Sequence, residues 1–235
     1  MNKNNLMHLR DKFLLASDWH IHTNYVHGKH TIPECVKKGE ENGLKLIVIV
    51  EHVRQNLTYD FSELLEEIDM IRKESKIKIL SGAEAKVRDI NGNLDMSSEV
   101  KKKVDVVLGA FHSWFKQTTP TKEEYLEALL NMMKRKEIDI WAHPLLLPMR
   151  HDIYFEDDEI LEIVKTIKKY EIFVEINLRY KLPPTNFLNT ILKESIPFVI
   201  SSDAHSKYEI WDKSKPDFIS SEVWQKIKKR VIEKL

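Results

Sequence analysis

The sequence is poor in cysteine, in net charge and in long apolar runs. Cys35 is the only cysteine in 235 residues, which excludes an internal disulfide framework and a thiolate-rich zinc site. Lysine plus arginine balances aspartate plus glutamate, 37 against 37, so no global field favours binding to nucleic acid or anionic lipid. No stretch approaches the roughly 18 uninterrupted apolar residues of a membrane helix, and the first residues lack a signal core. We therefore expect a cytoplasmic protein with no membrane partner, in which any metal is bound by histidine and carboxylate ligands.

What the sequence does contain is a repeated unit. Short apolar runs rich in β-branched residues alternate with charged segments whose apolar residues recur at spacings of three and four, which predicts strands alternating with amphipathic helices. The seven predicted strands are residues 13–20, 44–52, 77–84, 104–112, 139–143, 172–178 and 197–205. The main predicted helices are residues 32–43, 62–75, 121–137, 157–171 and 185–195. Strands that are apolar on both faces and alternate with helices favour parallel pairing with the helices outside.

The link between the third and fourth strands departs from this unit. Residues 88–103 predict a turn at Asn91-Gly92 followed by a short helix. No proline- or serine-rich linker divides the chain, so we expect a single domain over residues 1–235. The repeat is compatible with a closed barrel or with an open sheet.

Polar residues at the strand ends favour the barrel. Six of the seven predicted strands finish in a residue that can bind a metal, at the edge where α/β barrels place their active sites. These residues are His20 and His22, His52, Glu84, His112, His143, and Asp203 and His205. In a strand, side chains two residues apart share a face, so His20 and His22 should project together. Only a closed arrangement brings all of these residues to one centre.

Each of these residues taken alone has an ordinary structural explanation. A lone histidine after a buried strand is more often a hydrogen-bonded structural group than a metal ligand, and a lone glutamate is usually solvated or paired with lysine. The coincidence argues otherwise, because six of ten histidines lie at strand ends and a seventh, His27, follows the first strand. A purely structural explanation would require an unrelated reason for the ligand-type residue at each of these strand ends.

At this point the sequence resembles the PHP (polymerase and histidinol phosphatase) family of metal-dependent phosphoesterases, and within it the stand-alone phosphatases such as histidinol phosphatase. The matching motifs are DWHIHT at 18–23, EH at 51–52, GAE at 82–84, AFHS at 110–113, AHP at 142–144 and SSDAH at 201–205. The resemblance implies an α/β fold, a distorted seven-unit (β/α)7 TIM-like barrel that holds three metal ions.

The resemblance also implies roles for single residues. His20, His22, Glu84 and Asp203 would bind one ion, and Glu84 would bridge to a second held by His112 and His143. His27, His52 and His205 would bind the third, with His30 as the rival to His27 in that loop. Glu51 stands where the family usually has aspartate, and we expect it to orient a ligand. The predicted catalytic residues are Glu84, Asp203 and His205.

The donor set agrees with this assignment on chemical grounds. Seven imidazoles and two carboxylates without a thiolate suit zinc, manganese or iron. Nine ligands shared among three ions leave coordination positions open, which is typical of catalysis. Two ions about 3.5–4 Å apart lower the pKa of a shared water and clamp an in-line displacement, so we expect a metal-bridging hydroxide as the nucleophile.

Two arginines are candidate substrate-binding residues. Arg150 follows His143 by seven residues, and Arg179 lies just after the sixth strand in EINLRY. A guanidinium fork matches the oxygens of a phosphate, and arginines in comparable loops bind the substrate phosphate in the histidinol phosphatase branch. The alternative for each is a solvent-facing arginine. Trp114 and Lys116 are further candidates at the mouth, although Trp114 is equally well explained as a packed loop aromatic.

The leading hypothesis is hydrolysis of a small phosphomonoester, with histidinol phosphate as one candidate. The alternative within the family is a nucleotide phosphatase or nuclease; the neutral charge argues against long nucleic acids as substrates. An amidohydrolase also begins with HxH, but that class expects eight strands and a bridging lysine on the fourth. A non-catalytic metal-binding module is disfavoured because all nine ligand positions carry a ligand-type residue. The sequence leaves the oligomeric state open.

Overall fold

A computed structural model describes residues 1–232 of the chain and contains a seven-stranded parallel sheet. The strands are β1 (Ser17–Ile21), β2 (Leu46–Val53), β3 (Lys78–Lys86), β4 (Val106–Ala110), β5 (Ile140–Trp141), β6 (Phe173–Asn177) and β7 (Phe198–Ser201). The helices are α1 (Lys3–Phe13), α2 (Ile32–Glu41), α3 (Phe61–Glu74), α4 (Ser98–Lys103), α5 (Lys122–Lys134), α6 (Leu146–Arg150), α7 (Asp157–Tyr170), α8 (Thr185–Lys193) and α9 (Ser221–Ile232). Short 3₁₀ turns cover Leu14–Ala16 and Lys207–Glu209.

The strands lie in chain order, and the last returns to the first. His22 N donates to Ala204 O at 2.9 Å, and Ala204 N donates to His20 O at 3.3 Å, just beyond the ends of β1 and β7. These bonds bring β7 back alongside β1, so the predicted distorted (β/α)7 barrel is confirmed. A barrel brings all seven carboxyl-terminal strand ends to one mouth.

Two apolar cores hold the barrel together. The larger lies between the sheet and the surrounding helices, and its members include Ile47, Ile49 and Ile163. The smaller fills the barrel interior with Trp19, Val48 and other inward-facing residues. Because both faces of most strands are buried, their sequences read as continuous apolar runs, as expected for parallel strands.

Helix α1 covers the smaller core, and the sequence reading missed it. Leu6 is buried among the interior residues, and Met7, Leu9 and Phe13 pack against them. Arg10 is also buried, and its Nε donates to Phe198 O at 2.7 Å. The predicted first strand over residues 13–20 was therefore wrong at its start, because Phe13 ends α1 and the strand begins at Ser17. The segment forms a helix because its apolar face packs over the residues of the barrel interior. The segment is so polar overall that its hydrophobic periodicity does not reveal this helix.

The predicted turn at Asn91-Gly92 is confirmed, and polar side chains cap several helices. Asn2, Thr31, Asp60, Ser97 and Thr121 accept backbone N–H bonds at the starts of their helices. Gly92 has φ +71°, and Val87 pairs antiparallel with Leu94 across the turn before α4. Gly43, with φ +73°, follows α2 in the left-handed conformation that glycine adopts without strain.

No helix within residues 1–232 is both long and apolar enough to cross a bilayer. The organisation of residues 1–235 as one domain stays a prediction.

Candidate metal centre

The strand ends place a buried carboxylate, Glu84, among a group of imidazoles. Oε1 of Glu84 lies 2.9 Å from Nε2 of His112 and 2.9 Å from Nε2 of His143. Its Oε2 lies 3.0 Å from Nδ1 of His52, and 3.5 Å from Nε2 of both His20 and His22. Glu84 therefore has the central position expected of a carboxylate shared between ions.

The first and last strands bring the remaining inner residues together. Nε2 of His20 and Nε2 of His22 lie 3.0 Å apart, so the two side chains do project to one place as predicted. Oδ1 of Asp203 lies 3.6 Å from Nε2 of His22 and 3.6 Å from Nδ1 of His205. All of these side chains except His205 are almost fully buried.

Two of the candidate ligands have left-handed backbones. His143 has φ +28° and Asp203 has φ +54°, a region that costs a non-glycine residue roughly 1–2 kcal/mol. Each lies just after its strand, where the chain must turn to aim a side chain at the barrel axis. Such conformations persist where surrounding contacts enforce them, and they cluster at functional sites.

The outer histidines lie nearer the solvent. His52, His112 and His205 are partly buried, whereas His27 is exposed, with its ring 5.0 Å from that of His52. The rings of His22 and His205 are 4.5 Å apart. Among residues 1–232, three groups have ligand atoms within 4.8 Å of one another: His20, His22 and Glu84; His52, Glu84 and His112; and His22, His52 and His205. His22 joins His52 and His205 in the third group, where the sequence prediction has His27.

His27 and His30 have different surroundings in their loop. The His27 ring lies at the solvent side of the cluster, 5.0 Å from the ring of His52, and partial desolvation with His52 and His205 nearby lowers its pKa. His30 instead accepts a bond from Lys207 N at its Nδ1, at 3.2 Å, and its ring lies edge-on to Tyr208. The contacts favour His27 over its rival.

Carboxylates behind the cluster hold its members in place. Glu51, the expected orienting residue, accepts a bond from Thr23 N at 2.8 Å, next to His22. Asp18 accepts bonds from Ser202 N at 2.9 Å and Trp211 N at 3.1 Å, which ties β1 to the segment after β7. Burial raises the pKa of Glu51 to about 7 and that of Asp18 to about 6.

Strand β6 contributes two residues that the sequence reading missed. Glu175 is fully buried and its Oε1 lies 2.8 Å from Nδ1 of His20, while its Oε2 accepts bonds from His143 N and, at 3.0 Å, from Asn177 Nδ2. Asn177 Nδ2 also donates to Asp203 Oδ2 at 3.1 Å. The available signal was a pair of polar residues two apart in an otherwise apolar strand, which places both on the inner face.

The electrostatics favour negative charge on the two central carboxylates. Burial raises the pKa of Glu84 and of Asp203, but the surrounding imidazoles outweigh it and hold both pKa values below their ordinary range. Burial lowers the pKa of His22 to about 3, so this imidazole is neutral near pH 7. For His20 and His143 burial acts in the same direction, but the nearby carboxylates outweigh it and raise the pKa. Deprotonated carboxylates and neutral imidazoles are the forms that bind metal ions.

Several buried polar atoms of the cluster lack a hydrogen-bond partner. They are His22 Nδ1, His52 Nδ1, Glu84 Oε2, His112 Nδ1 and His143 Nδ1. His52 Nδ1 and Glu84 Oε2 lie 3.0 Å apart without a hydrogen bond between them. Buried polar atoms are normally satisfied, and lone pairs this close are stabilised by a cation. The residues present therefore fit divalent ions.

Both candidate arginines reach the backbone of cluster residues. Arg150 Nη1 donates to His112 O at 3.3 Å, and its guanidinium lies over the Tyr180 ring at 5.6 Å. Arg179 Nη1 lies 3.5 Å from Asp203 O and 3.1 Å from Glu209 Oε2. The two arginines thus flank the mouth of the barrel.

The other two candidates at the mouth have ordinary partners. Trp114 is buried and its ring packs on Phe115 with centroids 3.9 Å apart. Lys116 pairs with Glu124. Trp114 therefore has the packed position that the sequence left open.

Comparisons with known proteins agree with this geometry. Residues 18–179 match the family model of the PHP domain. A protein of Acetivibrio thermocellus named "Probable phosphatase" is 28% identical over 205 residues, 82% of this chain and 80% of that protein. The "DNA polymerase/3'-5' exonuclease PolX" of Bacillus subtilis is 27% identical over 204 residues, 82% of this chain but only 34% of its own length.

A solved structure has the same fold. Histidinol phosphate phosphatase from Lactococcus lactis, complexed with zinc, L-histidinol and phosphate, superposes with a TM-score of 0.65 at 17% identity. The superposition covers 93% of each chain.

Proposed function

The chain belongs to the PHP domain family of metal-dependent phosphoesterases, and from this premise we propose that it hydrolyses a small phosphomonoester with three divalent metal ions. One observation carries the proposal: five imidazoles from four other strand ends lie within 3.5 Å of the buried Glu84, and His52 Nδ1 and Glu84 Oε2 face each other without a hydrogen-bond partner. Such a donor set has no evident structural use in a buried site.

We propose that the ions are shared as the family resemblance implies. His20, His22, Glu84 and Asp203 hold the first, Glu84 with His112 and His143 the second, and His27, His52 and His205 the third. The nitrogen-rich donor set suits zinc, manganese or iron. When bound, the ions supply an activated water and neutralise charge on the reacting phosphate.

The remaining tasks belong to this chain's own residues. Glu175 orients His20 by accepting from its Nδ1, and it holds the backbone of His143. Asn177 holds Asp203. Arg150 and Arg179, at the two sides of the mouth, bind phosphate oxygens of the substrate.

A phosphomonoester such as histidinol phosphate is the favoured substrate. The fold shared with the Lactococcus lactis enzyme supports this choice, as does the name of the Acetivibrio thermocellus relative. A nucleotide phosphatase or nuclease is the second candidate, and the Bacillus subtilis relative favours it. The zero net charge argues against long nucleic acids. The cytoplasmic location stays a prediction.

A substrate panel tests the proposal. Metal-stripped protein is assayed with added zinc or manganese on histidinol phosphate, other phosphorylated metabolites, nucleotides and a single-stranded oligonucleotide. We expect a small phosphomonoester to have the highest kcat/KM, and no turnover without metal. A preference for nucleotides or for the oligonucleotide supports the second candidate, and no hydrolysis of any phosphate ester contradicts both.

A further inference from the structure

A cavity of about 540 Å³ opens beside the cluster on its Asp203 side. Its lining residues are Leu178, Arg179, Tyr180, Ser202 and Glu209. Ser202 directly precedes Asp203, and Arg179 Nη1 lies 3.5 Å from Asp203 O. The cavity therefore joins the candidate phosphate-binding arginine to the candidate metal centre.

One carboxylate oxygen in this cavity accepts from three donors. Glu209 Oε2 lies 2.8 Å from His205 N, 3.2 Å from Ser206 N and 3.1 Å from Arg179 Nη1. The bond from Ser206 N belongs to a capping box on the 3₁₀ turn Lys207–Glu209. The loop backbone thus holds the carboxylate through two contacts that do not involve Arg179.

The Arg179 guanidinium is bound through one of its three nitrogens, Nη1. Within residues 1–232, the hydrogen bonds of this side chain all use Nη1, to Glu209 and to Asp203 O. Its Nε and Nη2 are the other donors of the fork, and they are left for a ligand. A planar guanidinium presents two such N–H groups side by side, which matches two oxygens of a phosphate.

We propose that Glu209 is a positioning residue, which fixes Arg179 relative to the metal centre so that its remaining donors meet the substrate phosphate. This inference rests on the proposed function. An isolated surface ion pair is worth little, because two long side chains must be ordered to form it. Here the backbone amides of His205 and Ser206 order the carboxylate, so only Arg179 remains to be ordered. An arginine already in place loses less freedom when it binds a ligand.

Two substitutions at Glu209 separate its contacts. Glu209→Gln keeps an oxygen for the amides of His205 and Ser206 but removes the charge that faces Arg179. Glu209→Ala removes both. The matched control is Asp217→Asn, which breaks the exposed Lys181–Asp217 pair, 3.0 Å long, two residues beyond Arg179.

The readouts are kinetics, phosphate binding and metal content. With p-nitrophenyl phosphate on metal-loaded protein, we expect Glu209→Ala to raise KM about tenfold with kcat within about twofold. Glu209→Gln should raise KM about threefold, since a neutral oxygen holds the arginine less firmly. The Kd of inorganic phosphate, measured by calorimetry, should rise in parallel. Metal content of both variants, and every parameter of Asp217→Asn, should equal wild type.

A double mutant decides whether Glu209 acts through Arg179. If it does, Arg179→Ala with Glu209→Ala should have the KM of Arg179→Ala alone. If the two substitutions instead multiply each other's effect on KM, the inference is overturned. Unchanged KM and phosphate affinity in Glu209→Ala, or a loss of metal that explains the kinetics, also overturns it. If wild type neither hydrolyses nor binds phosphate, the proposed function itself fails, and the inference falls with it.

Discussion

Oε1 of the fully buried Glu175 lies 2.8 Å from Nδ1 of His20, and Nε2 of the same imidazole faces Glu84 and His22. A proton held on Nδ1 by the carboxylate makes Nε2 the lone-pair atom. The same glutamate accepts from His143 N, so one side chain orients two candidate ligands from different strands.

Glu175→Gln should therefore weaken metal binding while the barrel stays folded. An amide places an NH₂ group where Oε1 or Oε2 now accepts, which leaves a donor facing a donor. We expect an affinity loss of about 10- to 100-fold, the usual effect of removing such a partner. A chelator competition titration measures it, with exposed Glu162→Gln as control. Equal affinities in the two variants would contradict the orienting role.

Glu84→Ala should abolish phosphomonoesterase activity. Five candidate imidazole ligands lie within 3.5 Å of the Glu84 carboxylate, and the substitution removes the partner that they share. We expect kcat to fall by at least about 10²-fold, as when one charge-stabilising group is lost from an active site. Glu99→Ala, on the surface of α4, should behave as wild type. Turnover that survives in Glu84→Ala at added zinc or manganese contradicts the bridging assignment.

Gly28→Ala should disturb the loop that carries His27. A methyl group at residue 28 would lie 2.6 Å from His22 O and 2.7 Å from Thr23 C, so the backbone must move. We expect a loss of about 1–3 kcal/mol in the free energy of unfolding, together with weaker binding of one metal equivalent. Gly39→Ala is the control, since its methyl meets side-chain ends of Ile47 and Ile77 at 3.2 and 3.3 Å. Wild-type metal stoichiometry and affinity in Gly28→Ala would remove His27 from the ligand set.

Metal removal should lower the melting temperature. An ion that binds only the folded chain stabilises it by about 2.7 kcal/mol at a concentration 100 times its Kd. Since 1 kcal/mol shifts Tm by about 2–4 °C in a chain of this size, each such site should raise Tm by about 5–10 °C. Calorimetry with and without a chelator checks this, and readdition of zinc or manganese should restore Tm. Identical curves would mean that the cluster does not bind these ions tightly.

Cys35 should be inert in the folded protein. Its side chain is 1% exposed, and burial raises the pKa of the thiol to about 12, so almost no thiolate exists at pH 8. We expect no reaction with a disulfide reagent at pH 8 under native conditions and one equivalent of labelling in guanidinium chloride. Cys35→Ala provides the blank. Rapid labelling of the native protein would show that α2 opens readily.

The sequence by itself determined the class of fold and the types of ligand. Alternating apolar runs and amphipathic helices predict a parallel sheet, and a parallel barrel necessarily gathers its strand ends at one mouth. His20, Glu84, His143 and Asp203 could therefore be placed together without coordinates. Their chemistry followed from the absence of thiolates.

Only the tertiary structure decided which buried polar atoms meet. Periodicity reports that a residue is buried, but not which side chain from another strand it faces, so Glu175 and Asn177 were missed. The closure of the barrel floor by α1 and the contact of Arg179 with Glu209 were missed for the same reason. Each joins residues far apart in the chain, and such contacts are set by the packing of the whole barrel rather than by local sequence.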